Sequence, residues 1–282
     1  MHNQRTLKAP ATLQGTALFT ATPSRCTLHP ADTNTGIIFI HNNSEIRVHP
    51  DSISREPVHP VFASIPPRCS ALTNGSTTIW LVEHILSAFA GLGITNARVE
   101  LDHHELPIFD GSALLFTNAI RKVGIESQDA SIEPIRLTKP IRVEHNDSWI
   151  TATPSDTPSY QYTIDYGSDS PITSATVHWN NDPEDYTHRV ARARTFCLDH
   201  EAEALASAGL FKHLDFTDML VLGPNGPIDN TLRDPHECAH HKLLDLIGDI
   251  ALLGSPIIAQ IEAHKSGHAL AHTLAEAIIN TQ

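Results

Sequence analysis

The order in which two hydrophobic periods succeed one another limits what this chain can fold into. Strand signals stand at Gly36–His41 and at Asn96–Asp102, where Ala97, Val99 and Leu101 alternate with polar neighbours and share one face. Between them Val82, Ile85, Leu86 and Phe89 recur at the spacing of one helix face, with Gly91 and Gly93 as the stop. A second helix is predicted from Ser112 to Val123, entered through the Asp110-Gly111-Ser112 turn and ended by Gly124. After the polar run Glu126–Pro134 the succession returns. Ile141/Val143 and the alternating Tyr160, Tyr162, Ile164 and Tyr166 predict strands, and helices are expected around Asp199–Ala208, His236–Leu253 and His268–Ile279. Strands followed by helices, twice, imply an α+β chain of two domains of similar topology. Each is a layer of helices on a mainly antiparallel sheet, with the active site in the cleft between them. Glu126–Pro134 has linker composition, so the domains are expected at residues 1–128 and 129–282.

Composition removes several classes of function. The 282 residues suffice for two cores, and 40% hydrophobic against 18% charged residues excludes a disordered chain. A net charge of −13 with no Lys/Arg cluster argues against nucleic-acid binding. Apolar runs such as Ile250–Leu253 and Pro256–Gln260 are far too short to span a bilayer, and Met1–Gly15 lacks the apolar core of a signal peptide. A cytoplasmic protein with at most peripheral membrane contact is expected. Cys26, Cys69, Cys197 and Cys238 lie far apart with no CxxC, so they read as reduced thiols. No heptad or interface stripe is evident, and a monomer is expected.

Nineteen histidines make chance pairs common, so context has to select among them. In His240-His241-Lys242-Leu243-Leu244-Asp245-Leu246-Ile247-Gly248-Asp249, helical geometry puts His241, Asp245 and Asp249 on one stripe while Leu243, Leu246 and Ile247 point elsewhere. His241 and Asp245 stand one turn apart, roughly 6 Å along the axis, and can share an ion. Asp249 lies roughly 12 Å from His241 and suits a supporting role. A solvated helix face would explain the same stripe without metal. The i,i+4 pair His236/His240 competes as a chelate but has no acidic partner downstream on its own face. On the first-half helix, His84 can add a third ligand while the adjacent Glu83 reaches the attacking water as general base. His268, opening a helix after Lys265-Ser266-Gly267, can donate a proton if Asp249 holds its ring. Each segment also has a bland reading, as a surface pair or a polar loop. Together they support zinc-dependent hydrolysis with Zn2+ held by His84, His241 and Asp245.

Five segments carry a resemblance: Val82–Asn96 (VEHILSAFAGLGITN), Glu105–Ala113 (ELPIFDGSA), Arg192–Phe196 (RARTF), His241–Asp249 (HKLLDLIGD) and Lys265–Leu270 (KSGHAL). In this order they resemble the motifs of the UDP-3-O-acyl-N-acetylglucosamine deacetylase family, the zinc amidases of lipid A biosynthesis. Gln4–Gly15 and Pro30–Phe39 are similar as well, so nearly the whole chain is covered. The resemblance implies removal of an N-acetyl group from an acylated nucleotide sugar, and an acyl-chain passage built by an insert near residues 195–222. It implies the same roles for His84, His241, Asp245, Glu83, Asp249 and His268. It adds Thr195 beside the oxyanion, Phe196 in the sugar pocket, and Lys242 facing the nucleotide sugar. Lys242 and Lys265 also suit a diphosphate as scattered cations. Three positions depart from the family pattern. Ala17-Leu18-Phe19 stands for Gly-Leu-His, Leu81 for the Thr before Val-Glu-His, and Phe211–Asp215 for a glycine-rich segment. Two alternatives follow: a zinc amidase acting on another N-acetylated sugar, and a non-catalytic metal- or sugar-binding relative.

Overall fold

The computed structural model describes residues 3–215 and 219–281. Residues 216–218 of the insert expected at 195–222 lie outside the described residues, as do the first two of the opening segment. In the first half, strands β1 (Ala11–Thr16), β2 (Pro23–Pro30), β3 (Ile37–His41) and β4 (Ser44–Arg47) precede helix α1 (Glu83–Leu92), strand β5 (Ala97–Leu101) and helix α2 (Leu114–Val123). The sheet order is β1-β2-β5-β3-β4, with β5 antiparallel to β2 and parallel to β3.

The second half repeats this plan. Strands β6 (Ile141–His145), β7 (Ser148–Pro154), β8 (Ser159–Ile164) and β9 (Ala175–Trp179) are followed by helix α3 (Asp199–Ser207), helix α4 (Glu237–Ile250), strand β10 (Ile257–His264) and helix α5 (His268–Ile279). The order β6-β7-β10-β8-β9 again inserts the last strand centrally, antiparallel to β7 and parallel to β8. The predicted α+β architecture of two similar halves is what the chain forms. Its likeness lies in strand order and direction, since no repeat is visible in the residues.

Both central strands alternate as sequence periodicity requires, with Ala97, Val99 and Leu101 buried in β5 and Ile257, Ala259, Ile261 and Ala263 buried in β10. Helices α4 and α5 cover the second sheet, and α1 packs on both α2 and α4, so helices from the two halves meet between the sheets. Every residue of α1 except Ala90 is buried, which accounts for a helix apolar on nearly all sides. The close approach depends on glycine. A Cβ on Gly248 of α4 would lie 2.1 Å from the Glu83 carbonyl oxygen, and one on Gly91 would lie 2.4 Å from the Tyr186 ring. The Tyr186 hydroxyl also donates to Ser87 Oγ at 2.9 Å, pinning α1 to the second half from another side.

The run Glu126–Pro134, read as a linker, is for the most part a strand. Ile125–Ser131 pairs antiparallel with Asn3–Leu7. Its polar composition reflects a ribbon whose side chains are largely exposed while the backbone supplies the pairing. Helix α2 begins two residues later than predicted, because Ser112 Oγ accepts from the Leu114 N–H and itself donates to Asp110. Tyr166 falls beyond β8 and is exposed. Among the described residues no helix is long and apolar enough to cross a membrane. A cavity of 820 Å³ opens at the C-terminal ends of α1 and α4, lined in part by Phe89, Ile94, Tyr160, Trp179 and Ile257.

Candidate active site

At the other end of the α1–α4 contact, the first turn of α1 faces the first half of α4. Chain entry into α1 is strained: Leu81, buried, has φ of 64°. Two residues later the helix starts with Glu83 and His84. His84, His241 and Asp245 are all buried, and one ligand atom from each lies within 4.8 Å of the others. Nε2 of His84 and Nε2 of His241 stand 3.7 and 3.4 Å from Asp245 Oδ1. A tetrahedral ion with bonds of about 2.0–2.2 Å separates its donors by about 3.3 Å, so the spacing fits a metal such as zinc, and N/N/O is a donor set zinc accepts. His241 Nδ1 donates to the Ala193 carbonyl at 3.1 Å, which leaves Nε2 as the lone-pair nitrogen turned toward the shared point.

Electrostatics prepares each member. Burial drops the His241 pKa to about 4, against the pull of Asp245, so its ring is neutral. Burial would raise Asp245, yet His241 and Lys242 hold it well below the usual carboxylate range. Lys242 Nζ donates to Asp245 Oδ2 at 2.7 Å, on the oxygen not shared with the imidazoles. Burial raises Glu83, opposed by His268 and His84. The Ser70 N–H donates to Glu83 Oε2 at 3.0 Å. Asp249, one turn further along α4, takes His268 Nδ1–H on Oδ2 at 2.8 Å. Burial would lower His268, but the Asp249 charge and hydrogen bond, followed by Asp245 and Glu83, lift it to about 9.

The remaining expected residues are distributed less evenly. Phe196 sets its ring 6.1 Å from that of His241. Thr195 is anchored by its N–H to the Gly111 carbonyl at 2.7 Å, and Gly111 (φ 77°) is tight enough that a Cβ there would meet Thr195 Cγ2 at 2.6 Å. Lys265 pairs with Asp147 at 2.5 Å and Asp165 at 4.0 Å, and none of its ion pairs is to the three-residue group. The competing pair His236/His240 does not join that group. His240 Nδ1 faces Asp234 at 3.2 Å. Phe19 and Phe211, two of the departures, meet at 5.6 Å between ring centres, and Phe19 also packs edge-on against Phe62.

Residues that sequence reasoning passed over complete the site. The loop that presents the Ala193 carbonyl is locked by the buried Arg194–Glu237 pair at 2.8 Å, with further bonds from the Arg194 and Arg233 N–H groups to Glu237. Arg233 then bridges to Asp110 at 2.7 Å, tying the Asp110-Gly111-Ser112 turn of the first half to the entrance of α4. Ser70 and His272 stand behind Asp249. His272, four residues after His268 on the same helix, carried a spacing signal. Ser70 carried none.

Comparison with known proteins places the chain in a family. Residues 4–280 match the model of the family described as UDP-3-O-acyl N-acetylglycosamine deacetylase. The chain is 36% identical over 288 residues to the UDP-3-O-acyl-N-acetylglucosamine deacetylase of Acidithiobacillus ferrooxidans, covering 100% of this chain and 91% of that protein. Proteins of the same name from an Anaeromyxobacter species and from Myxococcus xanthus are each 34% identical, over 98% and 99% of this chain and 88% and 87% of theirs.

Proposed function

The chain belongs to the UDP-3-O-acyl N-acetylglycosamine deacetylase family, and from that premise we propose that it hydrolyses the N-acetyl group of UDP-3-O-acyl-N-acetylglucosamine in lipid A biosynthesis. Acetate and the free sugar amine are the products. The observation that carries this reading is the buried convergence of His84, His241 and Asp245, with Glu83 and His268 close enough to exchange charge effects with it. These three residues would hold Zn2+, which supplies Lewis-acid polarisation of the acetyl carbonyl and of the attacking water.

Glu83 takes one proton from water as the water oxygen bonds to the acetyl carbon. Its raised pKa suits a base that must later release that proton. Thr195 stands by the carbonyl oxygen as negative charge gathers there. His268, charged at neutral pH, gives its Nε2 proton to the sugar nitrogen as the C–N bond breaks. Asp249 keeps the Nδ1 side of that ring engaged, so the transferable proton is on the substrate side. Phe196 lines the sugar pocket, Lys242 offsets Asp245 beside the nucleotide sugar, and Lys265 serves the diphosphate after exchanging its acidic partners. The unpaired cysteines accord with a reducing, cytoplasmic setting.

The test is acetate release from UDP-3-O-acyl-N-acetylglucosamine by the purified protein, with and without chelator and zinc. Activity should vanish with chelator and return with zinc. Glu83→Gln should lower kcat by roughly 10²–10⁴ with one zinc per chain retained. Zinc-loaded protein inert on this substrate would overturn the reading. The contact of Phe19 with Phe211 favours a restricted acyl chain, so the same assay run on acylated and unacylated substrates discriminates an amidase for other N-acetylated sugars.

A further inference from the structure

Ser70 touches both arms of the proton-transfer apparatus. Its backbone N–H donates to Glu83 Oε2 at 3.0 Å, and its hydroxyl oxygen lies 2.5 Å from Asp249 Oδ1 and 2.7 Å from His272 Nε2. Ser70, Asp249 and His272 are each no more than 1% exposed, so bulk water does not compete for these bonds. Donor arithmetic then fixes the direction of each. A serine hydroxyl has one proton, and an ionised carboxylate can only accept. If that proton went to His272, two lone-pair oxygens would face each other at 2.5 Å. The hydroxyl therefore donates to Asp249 Oδ1, and His272 must bring its own proton on Nε2. Burial keeps the ring neutral, its pKa lowered to about 4, so the other ring nitrogen, Nδ1, is a bare acceptor, and it is the ring nitrogen of His272 with no hydrogen-bond partner among the described residues. An unmet acceptor is tolerated more readily than an orphaned N–H.

We propose that Ser70 and His272 are positioning residues that extend the Asp249–His268 pair into a four-membered hydrogen-bond chain, His272 to Ser70 to Asp249 to His268, and that Ser70 couples the placement of Glu83 to that of His268. The inference rests on the reading that Glu83 and His268 move the protons. With Oδ1 of Asp249 saturated from behind, Oδ2 is directed at His268 Nδ1, at 2.8 Å. The segment carrying Ser70 reaches Asp249 and His272 of the second half, so one residue of the first half registers base and acid together.

The experiment compares zinc-loaded wild type, Ser70→Ala, Ser70→Thr and His272→Phe by steady-state kinetics on UDP-3-O-acyl-N-acetylglucosamine, by zinc content, and by ring 15N NMR of His268 and His272. Ser70→Ala should lower kcat about 10- to 100-fold with KM changed less than about threefold and zinc retained, and Ser70→Thr, which keeps the hydroxyl, should recover most of kcat. His272→Phe should lower kcat in the same direction by a smaller factor. In the wild type, His272 should carry its proton on Nε2 and none on Nδ1. A folded Ser70→Ala enzyme with wild-type kcat overturns the proposal, as does a His272 protonated on Nδ1 alone. The NMR result needs no variant and no turnover, so it decides even where Ser70→Ala does not fold. Wild-type enzyme inert on the substrate would instead strike the functional reading.

Discussion

On the proposed mechanism a single ring, His268, sets how the site responds to pH. Its pKa is lifted to about 9 despite burial, with Asp249 the largest of the raising influences. A raised pKa keeps the acid form populated through neutrality, so kcat should hold to about pH 9 and fall above it. Asp249→Asn removes both the charge and the ionic hydrogen bond. The alkaline limb should then move toward the ordinary histidine value of about 6.5, and kcat at pH 8 should drop roughly 10- to 100-fold. A pH–rate profile of both proteins is the check, and an unmoved limb would remove His268 as its source. The same shift bears on stability, with a definite sign. Because the folded pKa lies above the unfolded one, the His268 contribution is fully present below about pH 6.5 and is lost as pH rises through about 9.

Elements hold these residues through close backbone contact. Gly248 lets α4 ride against the Glu83 carbonyl, and no side chain fits between them. Gly248→Ala should force α1 away from α4, costing at least about 1–3 kcal/mol and separating His84 from His241 and Asp245. Denaturant midpoints and zinc titration would read the two consequences. Unchanged zinc affinity would mean the helices yield elsewhere. This contact also marks where the sequence stops being readable. The faces of α1 and α4 followed from periodicity, because a buried helix declares its apolar side and its polar stripe within a few turns. Strands β5 and β8 were legible for the same reason, through alternation, whereas β10 showed in the sequence only as the apolar run Pro256–Gln260. The strand at Ile125–Ser131 was not, since an exposed ribbon leaves a polar composition like that of a linker. Neither Gly248 nor Ser70 carried a signal of its role in the sequence. Each owes its role to an atom that only tertiary packing brings near, the Glu83 carbonyl for one and the Asp249 carboxylate for the other.

At the scale of the molecule, the three candidate ligands come from α1 of one half and α4 of the other, so an ion bound there clamps the halves together. Metal bound only to the folded protein at about a hundredfold excess over its Kd adds about 2.7 kcal/mol. Chelation should lower Tm by roughly 5–10 °C for a chain of this size, and Asp245→Asn should lose most of that response. Equal Tm with and without chelator would place no metal between the halves. The repeated strand order has a consequence of another kind. Two identical copies of one half, joined as a symmetric dimer, would offer the same side chain from each central helix at the shared axis. Amide cleavage wants unlike partners on the two sides of one carbon: something to take a proton and something to give one. Joining the halves in a single polypeptide frees them from matching. The helix that begins with a glutamate and a histidine on one side can face a histidine and two aspartates on the other, and division of labour becomes heritable within one gene.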